Sequence, residues 1–358
     1  MEVSYYERGM ALLSKYSMQI EGVDDIQPGS VDAGLIKELK QVSGWIQQLI
    51  QSEGDAFEVR VVGENGNARL VTAESGKLLR KIIKSYAPMG RGYKTLHQFE
   101  PYIDMAFNQI VKFGLSQEYL IPRGLVHIEE AKANAQQLNK CVDAIRQEAK
   151  SKQFESTLSS YRRSSNKNYK GLTKYVDALF ERYSRLLVLR VDLSYSKEHS
   201  QTTQNQAKRD REHLFQNARS NNLFKDMVGY IWKLEHGPEK GFHYHVMFFF
   251  DGSKAREDIT RAALIGRYWA ENITQGRGLY FNCNAVKHNY KSCGIGMVDH
   301  TDGEMREGLR RAVVYLTKTD LYMKLQTEGR SMGRMNNPSP KDPRGRPRSK
   351  PPSKEWRC

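Results

Sequence analysis

The stretch WKLEHGPEKGFHYHVMFFFD, residues 232–251, decides the fold. From Phe242 to Phe250 it is an aromatic and aliphatic run interrupted by two histidines, the composition of a buried strand. Successive strand side chains alternate between faces. His243, His245, Met247 and Phe249 therefore share one face, and Phe242, Tyr244, Val246, Phe248 and Phe250 line the other. Gly237, Pro238 and Gly241 are turn residues, and residues 227–235 read as a second strand, so the segment is a β-hairpin. Directly opposed residues of an antiparallel pair project on the same side. With Glu235 across from His243, its carboxylate joins the two imidazoles in a two-His, one-carboxylate site for a divalent metal, with coordination positions left open. A His-x-His pair alone can equally be two hydrogen-bonded core histidines, and it is the parity of Glu235 that favours ligation. His236 falls on the opposite face and ranks below Glu235 as a ligand.

The 358 residues suffice for two domains, and 56 Lys and Arg against 41 Asp and Glu leave a net charge of +15. That excess points to a polyanionic partner, nucleic acid before membrane. No apolar run reaches the roughly 18 residues of a membrane span, and the N-terminus has no leader pattern, so a cytoplasmic protein with no membrane partner is expected. Cys141, Cys283, Cys293 and Cys358 are dispersed, as reduced thiols are. Cys283, His288, Cys293 and His300 match no common zinc-finger or ribbon spacing.

Residues 1–160 read as a mainly helical domain of unassigned role. Apolar positions from Leu35 to Leu49 recur every three or four residues, helical patterns return around 102–113 and 129–148, and 57–62 with 68–71 flank a turn-prone Gly63–Asn67 segment. Residues 161–178 read as a basic linker. Its segment YRRSSNKNYKGLTKY carries Arg162, Arg163, Lys167 and Lys170 as candidate phosphate contacts, interleaved with Tyr161, Tyr169 and Tyr175 on which bases could stack. From 179 to 327 the order is strand, helix, strand, strand, helix, strand, an α+β arrangement of the split βαβ, ferredoxin-like type. A last helix over 302–325 places Tyr315, Lys318 and Tyr322 on one face, which can be aimed at the metal site.

LVLRVDLSY, HYHVMFFF and YLTK resemble, in order and rough spacing, the three motifs of HUH-superfamily endonucleases of the rolling-circle replication type, most closely the inovirus-type YagK/YfjJ C-terminal domain group. The resemblance implies a metal-dependent nickase and strand transferase. Mg²⁺ or Mn²⁺ would be held by Glu235, His243 and His245, Tyr315 would be the nucleophile, and Lys318 its basic companion. Tyr322 lies seven residues after Tyr315, about two helical turns, which favours a single-tyrosine mechanism. The implied substrate is single-stranded or hairpin origin DNA of a phage, prophage or plasmid in a bacterial cell, with host helicase and polymerase as partners.

Residues 328–358 are rich in Pro, Gly, Ser and basic side chains and are expected to be disordered. Arg344, Arg346 and Arg348 are further DNA-contact candidates, the first two in a PRGRP segment shaped like a minor-groove hook. The alternatives are a mobilisation relaxase or transposase using the same chemistry, a noncatalytic DNA-binding regulator, and an iron oxygenase built on the same ligand triad.

Overall fold

In the computed structural model the chain is described over residues 33–340, apart from 64–65, 94, 117–123, 238–239 and 291. These residues form an α+β protein with antiparallel sheets and a largely helical N-terminal region. They divide into two compact units, one of residues up to 164 together with 320–324, the other of 165–319 and 325 onward.

The N-terminal unit opens with α1 (Ala33–Gln51), whose Leu35, Ile36, Leu39, Val42, Ile46 and Leu49 are all buried, as their helical spacing requires. The hairpin follows as β1 (Phe57–Val61) and β2 (Asn67–Thr72), with Val59 opposite Leu70. Next come α2 (Glu74–Tyr93), β3 (His97–Phe99) and α3 (Pro101–Lys112). The short β4 (Val126–His127) adds to β2 and leads into α4 (Ile128–Ala149).

Helix α5 (Lys152–Arg182) corrects the expectation of a linker at 161–178. Phe154, Leu158, Tyr161, Leu172, Tyr175 and Leu179 recur at helical intervals along it and are all buried, a stripe that the Ser- and Asn-rich polar faces conceal. Burial of Tyr161 and Tyr175 also removes them as base-stacking platforms.

The C-terminal unit contains β5 (Arg185–Tyr195), α6 (Gln204–Asn217), β6 (Met227–Gly237), β7 (Gly241–Asp251), α7 (Asp258–Tyr268), β8 (Gly278–Asn282), β9 (Gly296–Asp299) and α8 (Gly303–Lys318). After α8 the short β10 (Met323–Leu325) pairs with β3, and β11 (Met332–Arg334) rejoins the large sheet. The sheet order is β11-β6-β7-β5-β8, with β9 pairing farther along β5, and its pairings are antiparallel.

On one face, Leu186, Val188, Ile231, Met247 and Phe249 pack against Leu172, Tyr175 and Leu179 of α5 and Leu309, Val313 and Leu316 of α8. Burial of such side chains at roughly 1.5–3 kcal/mol each dominates the stability of this layer. On the other face Phe215 of α6 stacks on Tyr230 at 3.9 Å, and Arg261 of α7 lies over the Phe250 ring at 4.8 Å. The histidines have the parity of Met247 and Phe249, so they belong to the face that α5 and α8 cover.

Strand β11 corrects the expectation of disorder from 328. Gly333 pairs with Trp232 and Arg334 with Ile231, and the Arg334 guanidinium sits 4.6 Å from the Tyr175 ring. Residues 341–358, which include Arg344, Arg346 and Arg348, lie outside the described residues.

Candidate metal centre

The hairpin register brings the three predicted ligands together. Glu235 of β6 pairs with His243 of β7, and on the other side of β7 Asp192 of β5 pairs with His245. Glu235 Oε2 lies 3.8 Å from His243 Nε2 and 3.4 Å from His245 Nε2. All three are buried, Glu235 at 6% exposure, His243 at 3% and His245 at 1%. Among the described residues, they form a group of donors whose ligand atoms all fall within 4.8 Å of one another.

Neither Nε2 atom has a hydrogen-bond partner among the described residues. Buried polar atoms left so are rare, and two of them turned toward one carboxylate oxygen are what a bound cation would satisfy. Donors each roughly 2.1 Å from one ion are about 3.0 Å apart at right angles and about 4.2 Å apart when opposed, a window that holds both separations above. The residues therefore fit a divalent ion.

The remaining ring nitrogens fix the tautomers. His243 Nδ1 lies 3.1 Å from the Gly241 carbonyl and His245 Nδ1 lies 2.8 Å from Asp192 Oδ1. With Nδ1 of each ring turned to an acceptor, Nε2 is the nitrogen each imidazole offers a metal on the Glu235 side, His245 once it has given up its Nε2 proton, the arrangement by which an outer carboxylate or carbonyl orients a metal-binding imidazole. Gly241 has φ +64°, and a Cβ there would strike the Ser200 carbonyl oxygen, so only glycine delivers that carbonyl to His243.

Electrostatics distinguish the two histidines. Burial, helped by His245, pushes His243 down to about 4. Burial acts the same way on His245, but Asp192 and Glu235 outweigh it and lift that imidazole to about 9. Burial would raise Asp192, yet His245 and Arg190 hold it well below the usual carboxylate range. Glu235 is likewise held low against the effect of burial, by its close approach to the His245 imidazole, by His243 and by Lys233.

Four further residues, to which the sequence reading gives no role, stand around the ligands. Asp192 is one, and Arg190, with its Nε 3.4 Å from Asp192 Oδ1, is the second. Lys233, 1% exposed, stands opposite His245 in the register. Thr319 donates its hydroxyl to Glu235 Oε1 at 3.2 Å. Strand parity was the available signal for Asp192, Arg190 and Lys233, since each occupies the histidine face.

Tyr315, half-buried on α8, is brought near this cluster, its ring centroid 5.4 Å from the Arg190 guanidinium. Thr319 follows it by one helical turn on the same face, so that face reaches the centre twice, at Arg190 and at Glu235. The helix expected to run to 325 ends at Lys318, a 3-10 turn follows over Thr319–Leu321, and Tyr322 is buried in the N-terminal unit, its carbonyl accepting from the Glu100 amide at 2.8 Å. The Lys318 side chain lies outside the described residues.

Of the proposed DNA contacts on α5, Arg163, Lys167 and Lys170 are exposed and Arg162 is half-buried. Exposed Lys174 continues the row, and Tyr169 accepts a hydrogen bond from Arg310 at 3.1 Å. Cys293 instead hydrogen-bonds the Ile295 carbonyl, and His300 lies 3.0 Å from the Ser184 carbonyl. No helix among the described residues is long and apolar enough to cross a membrane.

No curated protein and no solved structure matches the chain. The YagK/YfjJ C-terminal domain model matches residues 148–334, which is just over half of the sequence and holds the entire centre described above. The chain belongs to the YagK/YfjJ C-terminal domain family.

Proposed function

We propose that the C-terminal unit is an HUH-type endonuclease that nicks and rejoins single-stranded origin DNA to start rolling-circle replication of a phage, prophage or plasmid in the bacterial cytoplasm. The observation that carries the reading is the double contact of one α8 face, Tyr315 beside Arg190 and Thr319 on Glu235, which brings a tyrosine to the edge of a two-His, one-carboxylate centre. The strand order β8-β5-β7-β6 within the sheet, antiparallel throughout and linked by α6 and α7, supports the ferredoxin-like part of the reading. Charge supports the substrate class. Asp192 and Glu235 are balanced by Arg190 and Lys233 before any ion is counted, so a divalent cation leaves an excess of two positive charges for an anionic ligand.

Glu235, His243 and His245 would hold Mg²⁺ or Mn²⁺, which supplies polarisation of the scissile phosphodiester. The chain's residues do the rest. Asp192 and the Gly241 carbonyl keep the two imidazoles in the ligating tautomer, and Arg190 steadies the Tyr315 ring. The Tyr315 hydroxyl attacks phosphorus, its proton passing to water. The new Oη–P bond replaces the P–O3′ bond, leaving a 5′-phosphotyrosyl link and a 3′-hydroxyl that a polymerase can extend. The reverse transfer rejoins the strand.

The test is incubation with Mn²⁺ and single-stranded DNA tiled from the parent replicon, followed by a search for an SDS-resistant adduct. Wild type should form it and Tyr315→Phe should not. Tight DNA binding without an adduct on any tile refutes nuclease action. The near-complete burial of the three donors favours one second reading, a structural ion, in which metal removal lowers the melting temperature and no adduct ever forms.

A further inference from the structure

The N-terminal unit lies almost wholly outside the family match and has no part in the chemistry above. Its hairpin contains an arrangement that is unfavourable for a protein alone. Arg60 of β1 and Arg69 of β2 are directly opposed partners, and both are exposed. Opposed residues share a face with Cβ atoms about 5 Å apart, and like charges so placed destabilise the pair. Neither guanidinium has an ion-pair or hydrogen-bond partner among the described residues. Glu58, on the same face, pairs with Val71.

The other face of the hairpin explains why the strands form despite this repulsion. Phe57 and Ala68 are buried there, and the Asn139 side chain receives the Ala56 and Phe57 amides at 3.1 and 3.0 Å while donating to the Phe57 carbonyl at 2.8 Å. The hairpin is thus anchored on one side and presents on the other two exposed cations that are unpaired among the described residues. Toward its tip it leaves the core, with Val61 53% exposed.

We propose that the outer face of this hairpin is a docking surface for the phosphate backbone of DNA, with Arg60 and Arg69 straddling one phosphodiester or two consecutive ones. Arginine suits the task because its planar fork takes phosphate oxygens two at a time. Besides the two arginines the face carries Glu58, Asn67, Val71 and His127; Val71 is the one aliphatic side chain among them, and none of them is the aromatic anchor that a protein partner would favour. Helix α2, which follows directly, extends the positive field. From Ser75 to Phe99 the sequence has six Lys and Arg and no Asp or Glu, and Lys81 and Lys84 are exposed.

This deepens the nuclease reading only in the choice of DNA as ligand, and it assigns the N-terminal unit the work of gripping the substrate independently of cleavage. The test uses the full chain with a duplex and a single-stranded oligonucleotide of generic sequence, without metal, over a range of salt. Arg60→Ala with Arg69→Ala should weaken binding to at least one form about tenfold or more. The same pair of changes should flatten the log-affinity against log-salt slope by roughly 1.4–1.8, since each phosphate contact contributes about 0.7–0.9.

Arg69→Glu is the control for folding. It replaces a repulsive pair by an attractive one, so it should weaken DNA binding while leaving the melting temperature unchanged or higher. A double alanine variant with wild-type affinity and slope on both DNA forms overturns the proposal, as does a wild type that binds neither. Loss of affinity in these variants with no Tyr315 adduct in any protein would leave the docking surface standing and remove the nuclease reading alone.

Discussion

Binding of the ion should expel one proton, and that proton belongs to His245. Asp192 and Glu235 lift this imidazole to about 9, so in the metal-free protein at pH 7 both ring nitrogens carry hydrogen. Ligation needs the Nε2 lone pair. Each pH unit below about 9 therefore costs about a factor of ten in apparent metal affinity, and at pH 7 the loss is on the order of 100-fold. His243, pushed down to about 4, is already neutral and contributes nothing at this pH. Calorimetric titration with Mg²⁺ or Mn²⁺ at pH 7, in two buffers of different ionisation enthalpy, should return close to one proton per ion. Affinity should rise about tenfold per unit from pH 6.5 to 8.5. The metal-free protein should show the opposite trend. Since the folded value of His245 lies above its ordinary 6.5, the stabilisation it provides is complete below about 6.5 and fades as pH rises through about 9. The melting temperature without metal should accordingly drift down over that interval while the metal-induced increment grows. Tight binding at pH 7 with no proton release and a flat pH dependence would refute the account of the Asp192–His245–Glu235 triad.

Asp192→Asn removes the carboxylate that orients His245 and should lower metal affinity about 10–100-fold with the fold retained by circular dichroism. Gly241→Ala should cost at least about 1–2 kcal/mol in thermal unfolding, from the left-handed backbone plus the Ser200 contact, and should weaken metal binding as the carbonyl partner of His243 shifts. Thr319→Val should cost about 1 kcal/mol by removing the hydroxyl's buried hydrogen bond to Glu235, read as a lower melting temperature. Truncation after residue 328, compared with truncation after 340, strips β11 from β6 and should lower the melting temperature by several degrees.

The large sheet is readable in the sequence because its strands are runs of β-branched, aromatic and aliphatic residues closed by turn residues, and Glu235, His243 and His245 follow from parity once the hairpin is recognised. Helix α5 is not, because Ser164, Ser165, Asn166 and Asn168 give it the local composition of a linker, and only the long-range spacing of its buried residues reveals it. Helix α2 is hidden in the same way by Pro88, Gly90 and Gly92, although Leu79, Ile82 and Ile83 are spaced for one buried face. The end of α8 depends on tertiary structure. Apolar periodicity continues through Leu321 and Tyr322, but the chain turns at Thr319, whose hydroxyl is bound by Glu235, and this takes Tyr322 off the helix that carries Tyr315. Parity puts Arg190 and Lys233 on the histidine face, but only the layers packed over the sheet show that they are buried.

The pairing of Glu235 with His243 sits two positions from the Gly237–Gly241 end of the hairpin, and this makes the centre a gauge of alignment. Sliding β6 by one residue against β7 would send Glu235 to the opposite face, and the triad would cease to exist. Loop length between these strands is therefore under tighter constraint than surface position suggests, with single-residue insertions excluded where compensated changes are tolerated. A cation present during folding would bind only chains in the native alignment. It would act as a proofreader for a hairpin whose aromatic stretch Phe248, Phe249 and Phe250 offers little of its own to tell one alignment from the next.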